Sequence, residues 1–313
     1  MSAMDVIFSG TMLAQTVRMT VPYACASLGG VLSERSGVVN IALEGILLSS
    51  ALAAVAVEEA TGSAASGVLA GVACGALVGL GHALLVVRGR VDAIVSGLAI
   101  NLVAAGGTRF VLRALYGSSS NSPSVRGFRL GESWGLPSHP HEYAGAFART
   151  LLDPFVLLTL AAAGLFAWGL ARTRFGLRLR ACGEDPSAAQ AVGVDVAGTR
   201  TVAVTLGGAV CGLGGTALAF ELHQFQAGMT GGRGFIALAA VIVSGWRPWP
   251  AVAACLAFAA LDALQIVLQN QTHVPPPIFA VLPFAATLLA LAAVSRRTSG
   301  SARAPAGIGK DPT

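Results

Sequence analysis

Long runs of apolar residues, separated by short polar breaks, are the main pattern of this 313-residue chain. A helix needs about 20 mostly apolar residues to cross the hydrocarbon core of a bilayer. Nine stretches approach that length, at 6–32, 38–57, 65–87, 92–112, 152–171, 201–220, 233–246, 249–269 and 278–295. The pattern therefore predicts an all-α, polytopic transmembrane helix bundle with about nine spans, within a range of roughly eight to ten.

The composition is that of a membrane protein. Apolar residues make up 54% of the chain, charged residues make up 11%, and the mean hydropathy is +0.71. These values leave too few charges to cover a water-soluble globule of this size. The 39 glycines suit close helix contacts in lipid. Because the arginines behind the net charge of +5 lie mainly between spans, where they orient the chain, we expect no nucleic-acid partner.

The positions of the arginines predict the orientation of the spans, since basic residues in short loops favour the cytoplasmic side. If nine spans alternate, one side holds Arg35, Arg88, Arg90, the cluster in 172–200, Arg247 and the basic tail. We therefore expect the N-terminus outside, the C-terminus in the cytoplasm and 113–151 as an outer loop. Residues 1–295 then form a single transmembrane domain. The segment 296–313, rich in Ser, Gly, Pro and Arg, is expected to be a disordered cytoplasmic tail.

The sequence shows no pattern for catalysis or metal binding. A nucleotide-binding P-loop requires a GxxxxGK[ST] motif, but Lys310 is the only lysine and Asp311 follows it. His139 and His141 lack a third ligand nearby, and the five cysteines show no paired metal or disulfide spacing. We therefore expect a chain that is not an enzyme and has no metal or cofactor of its own. If ATP drives its activity, a partner subunit must bind the ATP and Mg²⁺.

The charged connection 172–200 contains a short helix with both ends specified. Asp185 is a good N-cap, Pro186 fits the first helical position and Gly193 fits the position after the C-cap. A helix of about two turns is too short to be stable in water unless it docks onto another surface. The connection is interpreted either as a docking element or as a basic loop whose arginines only set the topology.

The run TRFGLRLRACGEDPSAAQAVGVDV, residues 173–196, resembles the coupling loop of the ABC permeases that import ribose, nucleosides and branched-chain amino acids. In that family the short helix fits a cleft in the ATPase, and the matching positions here are Gly183, Glu184, Pro186, Ala188, Ala189 and Gly193. Asp185 stands where the family commonly has Asn. Stretches at 36–45, 232–239 and 246–249 also match. Their NIALEG and GRGFIALAA forms resemble the nucleoside-type branch more than the sugar branch.

The resemblance implies an importer built from several subunits. Family members work with an ATPase, a second related permease subunit and an extracytoplasmic lipoprotein that captures the substrate. It implies a permease domain at 1–295 in the cell (inner) membrane, coupled to the ATPase through Gly183, Glu184, Asp185, Pro186, Ala188, Ala189 and Gly193. Purine nucleosides are the favoured substrates, and simple sugars are the alternative. From other classes, an ion-coupled secondary transporter would need no ATPase, and an intramembrane hydrolase would need a nucleophile and base that no spacing provides.

Polar side chains inside the spans are candidates for the substrate pathway, because such residues are costly in lipid and usually face a cavity or a partner. Asn40 and Glu44 are four residues apart and so share a helix face. Asp262, Gln265 and Gln269 form a second stripe at helical spacing. With Asn101 added, the candidate pathway residues are Asn40, Glu44, Asn101, Asp262, Gln265 and Gln269. These amides and few carboxylates suit a neutral, hydroxyl-rich solute. Hydrogen bonds between helices are the competing interpretation for each of these residues.

Overall fold

A computed structural model describes residues 10–127, 150–271, 276–297 and 304–309. The described residues form helices, with one isolated β-bridge and no named strand among them. The helices are α1 Gly10–Arg35, α2 Leu43–Thr61, α3 Ala64–Ala83 continued by a π-helical turn Leu84–Arg88, α4 Ala93–Tyr116, α5 Pro154–Arg172, α6 Arg174–Glu184, α7 Pro186–Ala191, α8 Val196–Glu221, α9 Arg233–Val243, α10 Pro248–Gln271 and α11 Pro276–Arg297.

The all-α prediction is confirmed, and each of the predicted spans contains a helix. Within the described ranges, five helices are long and apolar enough to cross a membrane: α3 with its π-helical turn, α4, α5, α8 and α10. The predicted span 233–246 differs, because α9 has only 11 residues. At 1.5 Å per residue it reaches about half the thickness of a bilayer core of about 30 Å. The number of nine crossings and their orientation remain predictions.

Helix α8 lies at the centre of the bundle and contacts α1, α2 and α3. Glycines make the contact with α3 close: a Cβ added at Gly75 would lie 2.7 Å from the Gly212 Cα, and one at Gly79 would lie 3.1 Å from the Gly208 Cα. Lipid provides no hydrophobic driving force between helices, so close backbone packing supplies much of the attraction. Several of the chain's glycines therefore lie at this central contact and allow it to be close.

The connection after α4, predicted to be an outer loop from residue 113, begins later, because α4 continues to Tyr116. Its first part lies antiparallel to residues 223–227, with Ser122 N donating to Phe225 O at 3.0 Å and an isolated bridge beside it. Gly127 N donates to Glu58 Oε1 at 2.8 Å, which ties this part to the end of α2. His139 and His141 lie outside the described residues.

The connection 172–200 is mostly helical. Its first half forms α6, where the composition predicted only a basic loop; Thr173 caps this helix by accepting from Gly176 N at 3.0 Å. The short helix α7 follows, and α8 already begins at Val196. Cys182, Ala189 and Val196 form a small buried cluster that holds α6, α7 and α8 together.

The described parts of 296–313, residues 296–297 and 304–309, differ from the expectation of disorder. Helix α11 continues to Arg297, and residues 304–309 lie against the junction between α6 and α7. Gly307 N donates to Gly183 O at 2.8 Å, and Pro305 and Gly307 are buried. The polar composition predicted no partner for this segment because the contact is made largely by backbone atoms, which leave little trace in a sequence.

Candidate functional site

Two helices begin inside the bundle and meet at their first turns. Helix α2 begins at Leu43 and α9 begins at Arg233. The Glu44 carboxylate accepts from Gly232 N through Oε1 at 2.8 Å and from Gly234 N through Oε2 at 2.7 Å. A carboxylate is favoured there because unpaired N–H groups and the helix dipole make the start of a helix positive. A Cβ on Gly234 would lie 2.6 Å from the Glu44 Cα, so this junction requires glycine.

Asn101 of α4 stabilises the start of α2. Ala42 precedes this helix and makes no side-chain cap. Instead, Asn101 Oδ1 accepts from Gly45 N at 2.8 Å, while Asn101 Nδ2 donates to Ile41 O at 2.9 Å. A side chain from another helix thus performs the capping that Ser, Thr or Asp usually performs locally. We call the contacts that Glu44 and Asn101 make around the starts of α2 and α9 the interior junction.

Asn40 is fully buried just before this junction. Its Nδ2 donates to Ser33 Oγ at 3.1 Å. Its Oδ1 has no hydrogen-bond partner within the described part of the chain. Buried polar atoms normally have a protein or water partner, so this oxygen is an available acceptor.

Asp262 of α10 belongs to a second polar cluster. Its Oδ2 pairs with Arg233 Nη2 at 3.1 Å and accepts from the Tyr23 hydroxyl at 3.1 Å. The Arg233 guanidinium lies over the Tyr23 ring, 5.7 Å from its centroid. The side chains of Arg233 and Asp262 are only 20% and 14% exposed. Charges this buried need such partners, because an uncompensated charge inside a membrane protein is expensive.

The structure brings two of the six predicted pathway residues, Glu44 and Asp262, to the first turn of α9. Glu44 contacts the residues on both sides of Arg233, and Arg233 itself reaches Asp262. Gln265 and Gln269 are half-buried, further along α10. Sequence reasoning missed Arg233 and Tyr23 as members of the cluster. The available signal was an arginine between two glycines at the start of an apolar run.

The short helix α7 has the predicted caps. Asp185 Oδ1 accepts from Ala188 N at 3.0 Å, Pro186 is the first helical residue, and Gly193 has a left-handed φ of 81° just after the C-cap. The capping prediction is therefore confirmed. A docking role for the helix stays a prediction.

Ala188 and Ala189, two of the three alanines of α7, face opposite ways. Ala189 is 3% exposed and packs on Cys182, whereas Ala188 is exposed. The outward face of α7 consists of small and polar residues and ends at Val192, which is 79% exposed. Burial raises the pKa of the Cys182 thiol, so the thiol stays protonated beneath the helix.

Gly183 and Glu184 lie where α6 ends. A Cβ on Gly183 would overlap the Arg35 carbonyl oxygen, so a glycine is needed for the loop to contact the end of α1. The Glu184 carboxylate is exposed and accepts from Ala306 N at 3.3 Å. Among the described residues no group of three or more His, Cys, Asp or Glu could hold a metal ion.

These features define a multi-pass membrane protein whose interior contains two converging helix starts and whose connection 172–200 exposes a short capped helix. A family profile described as "Branched-chain amino acid transport system / permease component" matches residues 12–291. The chain belongs to this family of transport-system permeases and is a multi-pass protein of the cell membrane.

Individual relatives cover nearly the whole chain. The guanosine ABC transporter permease protein NupQ of Bacillus subtilis is 35% identical over 286 residues, which cover 88% of this chain and 89% of NupQ. The nucleoside ABC transporter permease protein NupC of Lactococcus lactis is 32% identical over 295 residues, 90% of each chain. TsgC13 of Haloferax volcanii, whose name as a glucose ABC transporter permease is provisional, is 33% identical and covers 84% of this chain and 79% of TsgC13.

Proposed function

We propose that this chain is the permease subunit of an ABC importer for nucleosides, with purine nucleosides favoured. The observation that carries the proposal is its 32–35% identity to permeases named for guanosine and nucleosides, over about nine-tenths of the chain. The glucose-named relative makes a simple-sugar permease the second candidate.

The polar side chains of the candidate pathway favour a neutral solute. Both carboxylates of the candidate pathway are occupied, Glu44 by two backbone N–H groups and Asp262 by Arg233 and Tyr23. They therefore offer no free charge to an ionic solute. The available acceptor, Asn40 Oδ1, suits a hydroxyl or amino donor such as those of a nucleoside. We assign the pathway to Asn40, Glu44, Asn101, Asp262, Gln265 and Gln269, with Arg233 and Tyr23 added.

Energy would come from a separate ATPase that binds ATP and Mg²⁺ and docks on the coupling loop, since the sequence has no P-loop lysine. The proposed complex also contains a second related permease and an extracytoplasmic lipoprotein that captures the substrate. ATP binding would shift the permease between outward-open and inward-open states. In this proposal the chain crosses the membrane about nine times, with its N-terminus outside and its C-terminus in the cytoplasm.

Uptake in reconstituted vesicles tests the proposal. The chain is co-expressed with an ATPase, a second permease and a binding protein from the same organism, and uptake of labelled guanosine is measured with and without ATP. We expect ATP-dependent uptake that unlabelled nucleosides inhibit and that glucose, ribose and leucine do not. Inhibition by the sugars alone would establish the sugar candidate. Uptake by this chain alone under an ion gradient would exclude both.

A further inference from the structure

The end of α1 contacts the turn between α9 and α10. Trp246, in the turn between α9 and α10, donates from Nε1 to Glu34 Oε2 at 2.5 Å. Arg35 Nε donates back to Trp246 O at 2.9 Å. The turn before α10 is therefore fastened to α1, and any displacement of the end of α1 acts on α9 directly.

Arg200, in the second turn of α8, connects this end of α1 to the coupling loop. Its Nε donates to Ser36 O at 3.0 Å and its Nη2 donates to Cys182 O at 3.3 Å, and the residue is 4% exposed. Ser36 follows the last residue of α1, and Cys182 lies in the last turn of α6. Carbonyl groups at helix ends lack helical partners and carry partial negative charge, so a cation between two such ends stabilises both.

The tail makes the same connection from the other side. Gly307 N donates to Gly183 O at 2.8 Å, and Gly309 N donates to Gly37 O at 3.0 Å. A Cβ on Gly307 would lie 2.8 Å from both Gly183 O and Pro186 Cδ. The segment therefore fits closely, with hydrogen bonds from Ala306 N and Gly307 N to the coupling loop and one from Gly309 N to the turn after α1.

We propose that Arg200 and residues 304–309 form a cytoplasmic clamp that fixes the coupling loop to the end of α1, so that motion of α7 is passed to the transmembrane helices. The clamp contacts Gly183, Glu184 and Pro186 and leaves the outward face of α7, including Ala188, uncovered. The tail thus stabilises the position of the coupling loop and does not block the surface on which the ATPase would dock. This inference rests on the proposed coupling of the chain to an ATPase.

The test separates binding of the ATPase from coupling. Three variants weaken the clamp: truncation after residue 303, Gly307→Val and Arg200→Gln. Two matched controls carry the same substitutions elsewhere, Gly106→Val, where an added Cβ would meet nothing within 4 Å, and Arg113→Gln, an exposed arginine at the end of α4. The readouts are co-purification of the ATPase, guanosine transported per ATP hydrolysed, and labelling of Cys182.

Labelling of Cys182 reports on the clamp without any transport. Its thiol is buried beneath α7, so an impermeant maleimide on the cytoplasmic side should react slowly, with the modified residue identified by peptide mass spectrometry. Each lost backbone hydrogen bond should raise the small unclamped population roughly two- to tenfold. We therefore expect at least a comparable increase in the labelling rate for the truncated chain and for Gly307→Val, with neither control changing.

In the clamp variants the ATPase should still co-purify and hydrolyse ATP, while guanosine transported per ATP falls severalfold. Unchanged transport per ATP and unchanged labelling in the truncated chain would overturn the proposal, and this outcome does not depend on whether Arg200→Gln folds. Increased transport after truncation would also overturn it, in favour of an inhibitory tail. If the unmodified complex does not import nucleosides, the proposed substrate is wrong; the labelling result then still decides whether the clamp exists.

Discussion

Replacing Glu44 with Gln should separate a structural from a solute-binding role at the interior junction. The carboxylate supplies both acceptors for the N–H groups of Gly232 and Gly234. A Gln side chain keeps one oxygen and places an NH₂ group against the other donor. One N–H group therefore loses its acceptor, and the negative charge at the start of α9 is removed.

The expected destabilisation by Glu44→Gln follows from these two losses. A hydrogen bond to a charged group contributes roughly 1.5–3 kcal/mol, and a buried donor left unpaired costs a similar amount. Loss of the charge beside the helix start adds about 0.3–1 kcal/mol. Because Glu44 is half-buried and the two terms overlap, we expect a net destabilisation of roughly 2–4 kcal/mol.

The assay pairs stability with transport. Melting temperature is measured on detergent-solubilised protein by size-exclusion chromatography after heating, and KM and maximal rate are measured for guanosine uptake. Glu59→Gln is the control, since Glu59 is an exposed residue of the same helix. We expect Glu44→Gln to lower the melting temperature and the maximal rate together. A raised KM at unchanged melting temperature would refute the structural role and identify Glu44 as a solute contact.

Three further predictions concern the ion pair, the coupling helix and the topology. Asp262→Asn leaves the buried Arg233 without its counter-charge, so melting temperature and uptake should fall together; normal uptake would show that the pair is dispensable. Ala188→Trp puts bulk on the outward face of α7 and should reduce ATPase co-purification without loss of folded permease, and normal binding would rule out this face as the docking surface. A reporter fused after Ser295 should be cytoplasmic and one inserted near Ser120 should be extracytoplasmic; finding both on one side would exclude the nine-span topology.

The sequence predicted the helices and caps that are determined by residues close to one another in the chain. The caps of α7 depend on Asp185, Pro186 and Gly193, which lie within a few residues of the groups that they satisfy. Apolar stretches likewise located helices in every predicted span. Helix α6 was missed because its basic residues also fit a loop that only sets topology.

What the sequence could not predict depends on contacts between distant segments. The start of α2 at Leu43, rather than at the predicted 38, depends on Asn101 from another helix. The pairing of Arg233 with Asp262 requires α9 and α10 to place side chains 29 positions apart in contact. Which alanine of α7 faces outward depends on how the helix packs on Cys182. None of these arrangements has a spacing rule that one sequence could reveal.

The interior junction and the cytoplasmic clamp are joined by the non-helical residues 36–42, and this stretch is held along its length. Gly37 O bonds to the tail, Val39 O is 3.1 Å from the His82 Nε2, and Ile41 O accepts from Asn101. A free chain of this length could absorb a shift of several ångströms, because its extended reach is about 20 Å. Because alternate carbonyls of residues 36–42 are held by other segments, this stretch cannot easily change its length. A displacement of the clamp should therefore move Glu44 and the start of α9. In the proposed coupling mechanism, the same segment that delays the start of α2 until Leu43 would also carry ATPase motion to the proposed substrate pathway.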